Sequence, residues 1–324
     1  MREITYGEAA VEAIKEEMEK DDRIFYMGED VGRFGGCYGS TKGLWNNFGD
    51  ERVKDTPMSE AAIISYALGA AITGMRPIVE IMFVDLLCLT MDQIVNQVAK
   101  IHYMFGGKVK VPLLIRVPFG GLRRAAAQHS QHLEAWFVHT PGLKIIVPST
   151  ACDVKGLLKA AIRENNPVIS LEHILLYQRK DKLPKGEYVV PIGKAEVKRE
   201  GKDVTVISYS LMLHRCLSAA EKLHIQGIEA EVIDLRSLYP LDMETVLNSV
   251  KKTGKVAIVH QASLTGGVGA EVGMRITESA FDYLDAPVKR IAALDVPVPF
   301  SPVLEDFVVP TEEKIKEEIE KMFQ

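Results

Sequence analysis

Glu60 has the clearest chemical position in the sequence. It follows Asp55-Thr56-Pro57-Met58-Ser59 and opens a run of small and apolar residues reaching Thr73. Pro57 stiffens the entry, and Ser59 is expected to cap a helix by accepting a backbone N–H bond, which puts Glu60 in the first turn. An acid there complements the helix dipole, and position alone says no more. A second concentration is Gln128-His129-Ser130-Gln131-His132. An imidazole suits proton transfer because it titrates near neutrality, though a structural histidine satisfies the same residues. His129 and His132 at i, i+3 suggest a metal, with Glu134 or His139 as further donors, but no third ligand stands at a recognisable spacing. Just upstream, Arg123 and Arg124 either meet an anionic substrate or form surface ion pairs. Gly267-Val268-Gly269 with Gly273 faintly matches a dinucleotide fingerprint; Val272 occupies the third glycine's place, so a helix start is the reading.

The elements that must position these residues follow from pattern. The chain has 324 residues, enough for two domains. Its 39 Lys and Arg against 44 Asp and Glu leave a net charge of −5, which offers no basic face to nucleic acid. The four cysteines lie far apart, fitting free thiols in a reducing compartment. The amino terminus is charged at once and lacks an apolar signal core, and no apolar run is long and clean enough for a bilayer. A cytoplasmic, soluble protein is expected.

Helical periodicity marks Tyr6–Glu19, and Ile24–Met27 reads as a buried strand ending at Gly28. The Gly-rich segment Gly32–Gly43 has no apolar period and reads as a binding loop. A helix over Glu60–Thr73, a strand over Pro77–Met82, a long helix from about Leu86 to Phe105 and strands at Pro112–Val117, Leu143–Val147 and Pro167–Glu172 follow. The charged, Pro- and Gly-containing stretch Arg179–Gly186 reads as a linker. Alternation then restarts, with strands near Val204–Tyr209, Glu229–Leu235, Lys255–His260 and Val288–Ala293. This predicts the α/β class, two doubly wound domains over residues 1–185 and 186–324, each with a largely parallel sheet.

Several segments occur in the order found in one family. Gly28-Glu29-Asp30-Val31, Asp55-Thr56-Pro57-Met58-Ser59-Glu60, Gly74-Met75-Arg76-Pro77, Asp92-Gln93-Ile94 and Gln128-His129-Ser130-Gln131 lie in the first half. Asp234-Leu235-Arg236, Gly266-Gly267 and Gly269-Ala270-Glu271 lie in the second. Nearly end to end, the sequence resembles the beta subunits of thiamine-diphosphate-dependent 2-oxo acid dehydrogenases, and most nearly the acetoin and bacterial pyruvate enzymes. The resemblance implies a thiamine pyrimidine-binding domain followed by a transketolase C-terminal-type domain. In that family the glutamate matching Glu60 shares a proton with N1′ of the cofactor's aminopyrimidine and favours its imino tautomer. The histidine matching His129 assists acyl transfer to lipoamide. Glu29, Met58, Met82 and Leu86 are the further implied cofactor contacts; Leu86 stands where relatives often carry an aromatic ring. A potassium site is implied at Leu113, Ala161, Ile162, Glu164 and Asn166, with Glu164 in place of the usual aspartate.

The family holds the diphosphate through Mg²⁺ on a Gly-Asp-Gly motif. This chain has only Gly49-Asp50-Glu51, so the resemblance implies that Mg²⁺ belongs to an alpha subunit and that the cofactor is shared in a heterotetramer. A beta–beta contact and a dihydrolipoyl acyltransferase core are the other implied partners. Two alternatives stay open: a split transketolase-type transferase subunit, and a non-catalytic beta-like scaffold.

Overall fold

The computed structural model describes residues 2–324 and divides into two compact units. One comprises the residues up to Phe119 together with Trp136–Ile192; the other comprises Gly120–Ala135 and Gly193–Gln324.

In the first unit, neighbouring strands run in the order Lys144–Ile146, Val168–His173, Leu114–Phe119, Arg76–Glu80, Ile24–Gly28 and Val53–Asp55, all parallel. The strands at Ile24–Gly28, Leu114–Phe119 and Val168–His173 are buried at every position. That burial is why they read as continuous apolar runs rather than as alternating ones. Helices Tyr6–Met18 and Ala151–Arg163 pack on each other, and Lys155 reaches Glu12 and Glu16, each at 2.7 Å. Thr5 and Glu8 close a reciprocal capping box at the start of the first helix.

Three expectations for this unit need correction. The hydroxyl of Ser59 does not cap its helix; it donates to the Pro57 carbonyl at 3.1 Å, and Glu60 is the acidic residue of the first turn. The long helix from Leu86 to Phe105 is instead a 3₁₀ turn over Val84–Thr90, a π-helical stretch over Asp92–Val98 and a short α-turn over Ile101–Met104. All three windings return apolar residues every three to five positions, so periodicity does not separate them. Finally, the charged linker contains a strand, Lys180–Leu183, paired antiparallel with Arg2–Thr5. Charged side chains suit a two-stranded edge, where they discourage further pairing.

The second unit has five strands in the order Lys289–Ala293, Val256–Ser263, Val204–Ser208, Ala230–Asp234 and Glu196–Arg199; the last is antiparallel and was not foreseen. Its core joins Val206, Leu213, Val232, Ala257, Ile291 and Ile315. The helix Val268–Ala280 starts at Gly267, as the fingerprint's displaced glycine implied, and the His260 ring fills the space a Cβ on Gly267 or Gly269 would need. A short helix at Pro302–Val308 had no counterpart in the sequence reading. Among the described residues no helix is long and apolar enough to cross a membrane.

Candidate active site

In the first unit the site forms where strands end and loops begin. Gly28 closes its strand, and a Cβ there would lie 2.7 Å from the Glu80 carbonyl. Glu29 therefore leaves the sheet at a point of tight packing. The loop beyond is pinned at Gly32, whose N–H donates to Asp55 at 2.6 Å, and at Thr41, whose hydroxyl donates to the Val31 carbonyl at 2.7 Å. Glu60 is half-buried in the first turn of its helix. Burial, and then the charges of Glu60 and Asp30, push the Glu29 carboxyl above the usual glutamate range. The two family-implied carboxylates therefore share one electrostatic environment. Met82 and Leu86 are half-buried beside the 3₁₀ turn, and Met82 meets the Cys37 sulfur at 3.6 Å. Met58 is 86% exposed, with nothing of its own chain covering it.

Beneath the loop is a charge network that sequence reasoning missed. Arg116, on a fully buried strand, donates to both oxygens of Glu172 at 2.8 and 2.5 Å, and to the Tyr26 hydroxyl at 2.8 Å. Tyr26 donates to Glu80 at 2.5 Å, and Ser40 of the loop donates to the other Glu80 oxygen at 2.8 Å. Arg116 also reaches the Ser40 carbonyl at 3.2 Å. Burial pushes the Glu80 carboxyl up, against the opposing pull of Arg116 and the two hydroxyls. A charge embedded in an apolar, parallel strand has to be paired. Glu80 within Ile78-Val79-Glu80-Ile81 and Arg116 within Leu114–Val117 were the available signal.

The loop implied to bind potassium has its carbonyls already in use. Arg76 donates to the Ile162 carbonyl at 3.1 and 2.6 Å and to the Glu164 carbonyl at 2.6 Å. The Leu113 carbonyl accepts from Val168, and the Ala161 carbonyl from Glu164. The Glu164 side chain meets Lys144 and the Asn166 amide. Among the described residues, no group of three or more His, Cys, Asp or Glu is arranged to hold a metal.

His129 is carried by the second unit and is exposed, while the adjacent Ser130 is buried. The second histidine of the pair turns inward: His132 Nδ1 lies 3.9 Å from Glu134, whose carboxylate accepts from the Tyr209 hydroxyl at 2.8 Å. The Tyr209 ring stacks on His260 with centroids 6.5 Å apart, at the carboxyl ends of adjacent strands. Burial pushes Glu134 up and drives His260 down to about 4, so at both groups burial disfavours the charged form. Beside it is a cavity of about 340 Å³, lined by Ser130, His132, Gln261 and Ser263 on one side and by Val296 and Val308 on the other. The two arginines left open by the sequence face their own chain. Arg124 forks onto Asp306 at 2.9 Å through each oxygen, and Arg123 donates to the His129 carbonyl at 3.0 Å.

Comparison with known proteins bears on the fold and the family. The transketolase pyrimidine binding domain model matches residues 2–180, and the transketolase C-terminal domain model matches residues 193–315. The chain is 46% identical over 318 residues to the 2-oxoisovalerate dehydrogenase subunit beta of Bacillus subtilis, covering 98% of this chain and 97% of the relative. It is equally 46% identical over 324 residues to the acetoin:2,6-dichlorophenolindophenol oxidoreductase subunit beta of Cupriavidus necator, covering 97% and 96%. The pyruvate dehydrogenase E1 component subunit beta of Gracilaria tenuistipitata var. liui also matches at 46% over 322 residues, covering 99% and 100%. A solved split gene transketolase, an inactive beta4 tetramer, superposes with a TM-score of 0.83 at 23% identity over 98% of each chain, which carries the fold alone. The fold is thus the transketolase-like pair of α/β domains. The chain belongs to the beta subunits of the thiamine-diphosphate-dependent 2-oxo acid and acetoin dehydrogenases.

Proposed function

We propose that this chain, with an alpha subunit, decarboxylates a 2-oxo acid, pyruvate first, or cleaves acetoin, and passes the acyl group to lipoamide on an acyltransferase core. Residues 1–185 and 186–324 are its two functional domains, and a second beta chain completes the assembly. The observation that carries this reading is the pair Glu29 and Glu60, coupled in charge, in the same unit as the half-buried apolar side chains of Met82 and Leu86. That combination fits one edge and one face of a protonatable heteroaromatic ring. Thiamine diphosphate, shared with the alpha chain and tied to it by Mg²⁺, supplies the nucleophilic carbon when bound. Glu60 holds a proton at the ring nitrogen, with Glu29 as the second carboxylate. Met58, Met82 and Leu86 hold the ring's apolar faces, and the exposure of Met58 suits a residue awaiting cofactor and partner. His129 moves a proton during acyl transfer. A potassium ion at Leu113, Ala161, Ile162, Glu164 and Asn166 belongs to the same reading, sharing carbonyls with Arg76.

The test uses the alpha–beta complex from co-expression, assayed with pyruvate, branched 2-oxo acids and acetoin. Glu60→Gln keeps size but carries no carboxyl proton, so kcat should fall by about 100-fold or more with assembly intact. Near-normal turnover by the assembled variant removes Glu60 from its role. His129→Ala should retain dye reduction and lose acylation of an isolated lipoyl domain.

A further inference from the structure

The segment that presents His129 is held in an unusual way. Leu122, Arg124 and Ala126 all have positive φ, at 66°, 61° and 61°, although none is glycine. Left-handed backbone disfavours side chains, and such residues persist only where their surroundings over-determine them. Here the surroundings converge on one carboxylate. Glu305, on the short helix Pro302–Val308, is fully buried. Its Oε1 accepts from the Leu122 amide at 2.5 Å; its Oε2 accepts from the Arg124 amide at 3.1 Å and from the Arg124 guanidinium at 2.8 Å. A Cβ on Gly121 would come within 3.3 Å of the same carboxylate, so the chain approaches as closely as glycine allows. Arg124 also donates to the Pro302 carbonyl at 3.1 Å and forks onto Asp306. At the far end of the turn, the His129 amide faces the Ala126 carbonyl at 3.4 Å and Arg123 takes the His129 carbonyl.

We propose that Glu305 is a positioning residue: its carboxylate clamps the left-handed turn Leu122–Ala126 and so sets where His129 stands. Arg124 tightens the clamp from outside. The proposal rests on the reading of His129 as the group serving acyl transfer. A loop strained at alternate residues, with two of its amides on one buried carboxylate, is held there against relaxation. Loosening that fastening frees His129 without touching the groups at Glu29 and Glu60.

Glu305→Gln, His129→Ala and the double variant, each as the alpha–beta complex, provide the test. Misplacement by about 1 Å can cost on the order of 100-fold in a step that depends on alignment. Glu305→Gln should therefore lower acylation of an isolated lipoyl domain by about 100-fold while dichlorophenolindophenol reduction changes little. Because Glu305 acts through His129, the double variant should be no worse than His129→Ala alone. Equal losses in the two assays, or additive losses in the double variant, overturn the proposal. Should Glu305→Gln fail to assemble, Arg124→Ala removes only the outer bonds and should show a smaller loss of the same selective kind; a neutral Arg124→Ala then overturns it. Hydrogen exchange separates this outcome from failure of the His129 reading. The Leu122 and Arg124 amides should be protected in the parent complex and lose protection selectively in Glu305→Gln. Unchanged exchange refutes the clamp even if His129 proves catalytic, and selective loss sustains it even if His129 does not.

Discussion

The loop Gly32–Gly43 and the loop Gly120–His129 solve one problem with opposite materials. Both need left-handed backbone. The first places glycines there, at Gly35, Gly36, Gly39 and Gly43, with φ between 71° and 86°. The second places Leu122, Arg124 and Ala126 there, at roughly 1–2 kcal/mol per residue of intrinsic cost. Their anchors differ to match. A glycine loop bends without strain, so its anchor need only choose among conformations; Glu80, through Ser40, and Asp55, through Gly32, do this from below and beside. A strained loop has to be held against relaxation, and Glu305 takes two of its amides as well as a guanidinium. Loop conformation is therefore not written in loop residues alone. In the first case it lies largely in the loop, and in the second it lies in a residue some 180 positions further along.

The largest effect should come from breaking the first loop's foundation. Arg116→Met keeps length and apolar bulk but leaves Glu172 and Glu80 facing each other across a buried strand without their cation. Removing one member of a buried pair costs about 3–5 kcal/mol, because the remaining charge is uncompensated. Urea unfolding of the isolated chain should show a loss of that size. Arg124→Ala, whose side chain is 35% exposed, should cost no more than about 1 kcal/mol by the same measurement. Equal losses for the two would mean that the anchors do not differ in kind.

This contrast also explains what the sequence disclosed. The alternation of strands and helices, the Gly-rich loop and Glu60 at a helix start were all legible, because each is a local pattern. The network of Tyr26, Glu80, Arg116 and Glu172 was not, because its members come from four strands separated by up to 146 positions. Leu122, Arg124 and Ala126 gave no sign of positive φ, since only glycine or asparagine signals it in sequence. The inward turn of His132 toward Glu134 and Tyr209 was equally hidden: i, i+3 spacing describes a helix, and this segment is an irregular loop of turns and bends. Even Ser59, correctly placed before its helix, spends its hydroxyl on Pro57.

A smaller effect, of opposite sign in the two loops, comes from exchanging alanine and glycine. Gly39 has φ 71° and open space, with nothing within 4 Å of where a Cβ would stand, so Gly39→Ala meets backbone strain and no clash. It should destabilise by about 1 kcal/mol. Ala126→Gly relieves the same strain in the second loop, offset by the extra freedom glycine brings to the unfolded chain, and should stabilise by somewhat under 1 kcal/mol, about half the penalty relieved. Opposite shifts in the unfolding midpoint would support the comparison. A destabilising Ala126→Gly would show that its turn is held without strain.

The smallest effect concerns the acid pair of the first unit, Glu29 and Glu60. The Glu29 carboxyl is raised above its ordinary range chiefly by burial, then by the charges of Glu60 and Asp30. A raised acid binds its proton more tightly in the folded chain than in the unfolded one, so stability falls as pH climbs through the folded value. Below the ordinary glutamate range both states are protonated and the full contribution is present; well above the raised value both are ionised and the folded chain carries the penalty. Glu29→Gln removes this titration. Its melting temperature should match the parent in acid, rise above it as pH passes through and beyond the ordinary glutamate range, and then hold a constant small lead to neutrality. Half-exposed groups are screened by water, so the lead should be small. The same experiment on Glu60→Gln should lower the Glu29 carboxyl toward its ordinary range, because one of the two repelling charges is gone. A parent chain that gains stability relative to Glu29→Gln as pH rises would show Glu29 paired with a cation instead, and would separate the two carboxylates that are proposed to act as a pair.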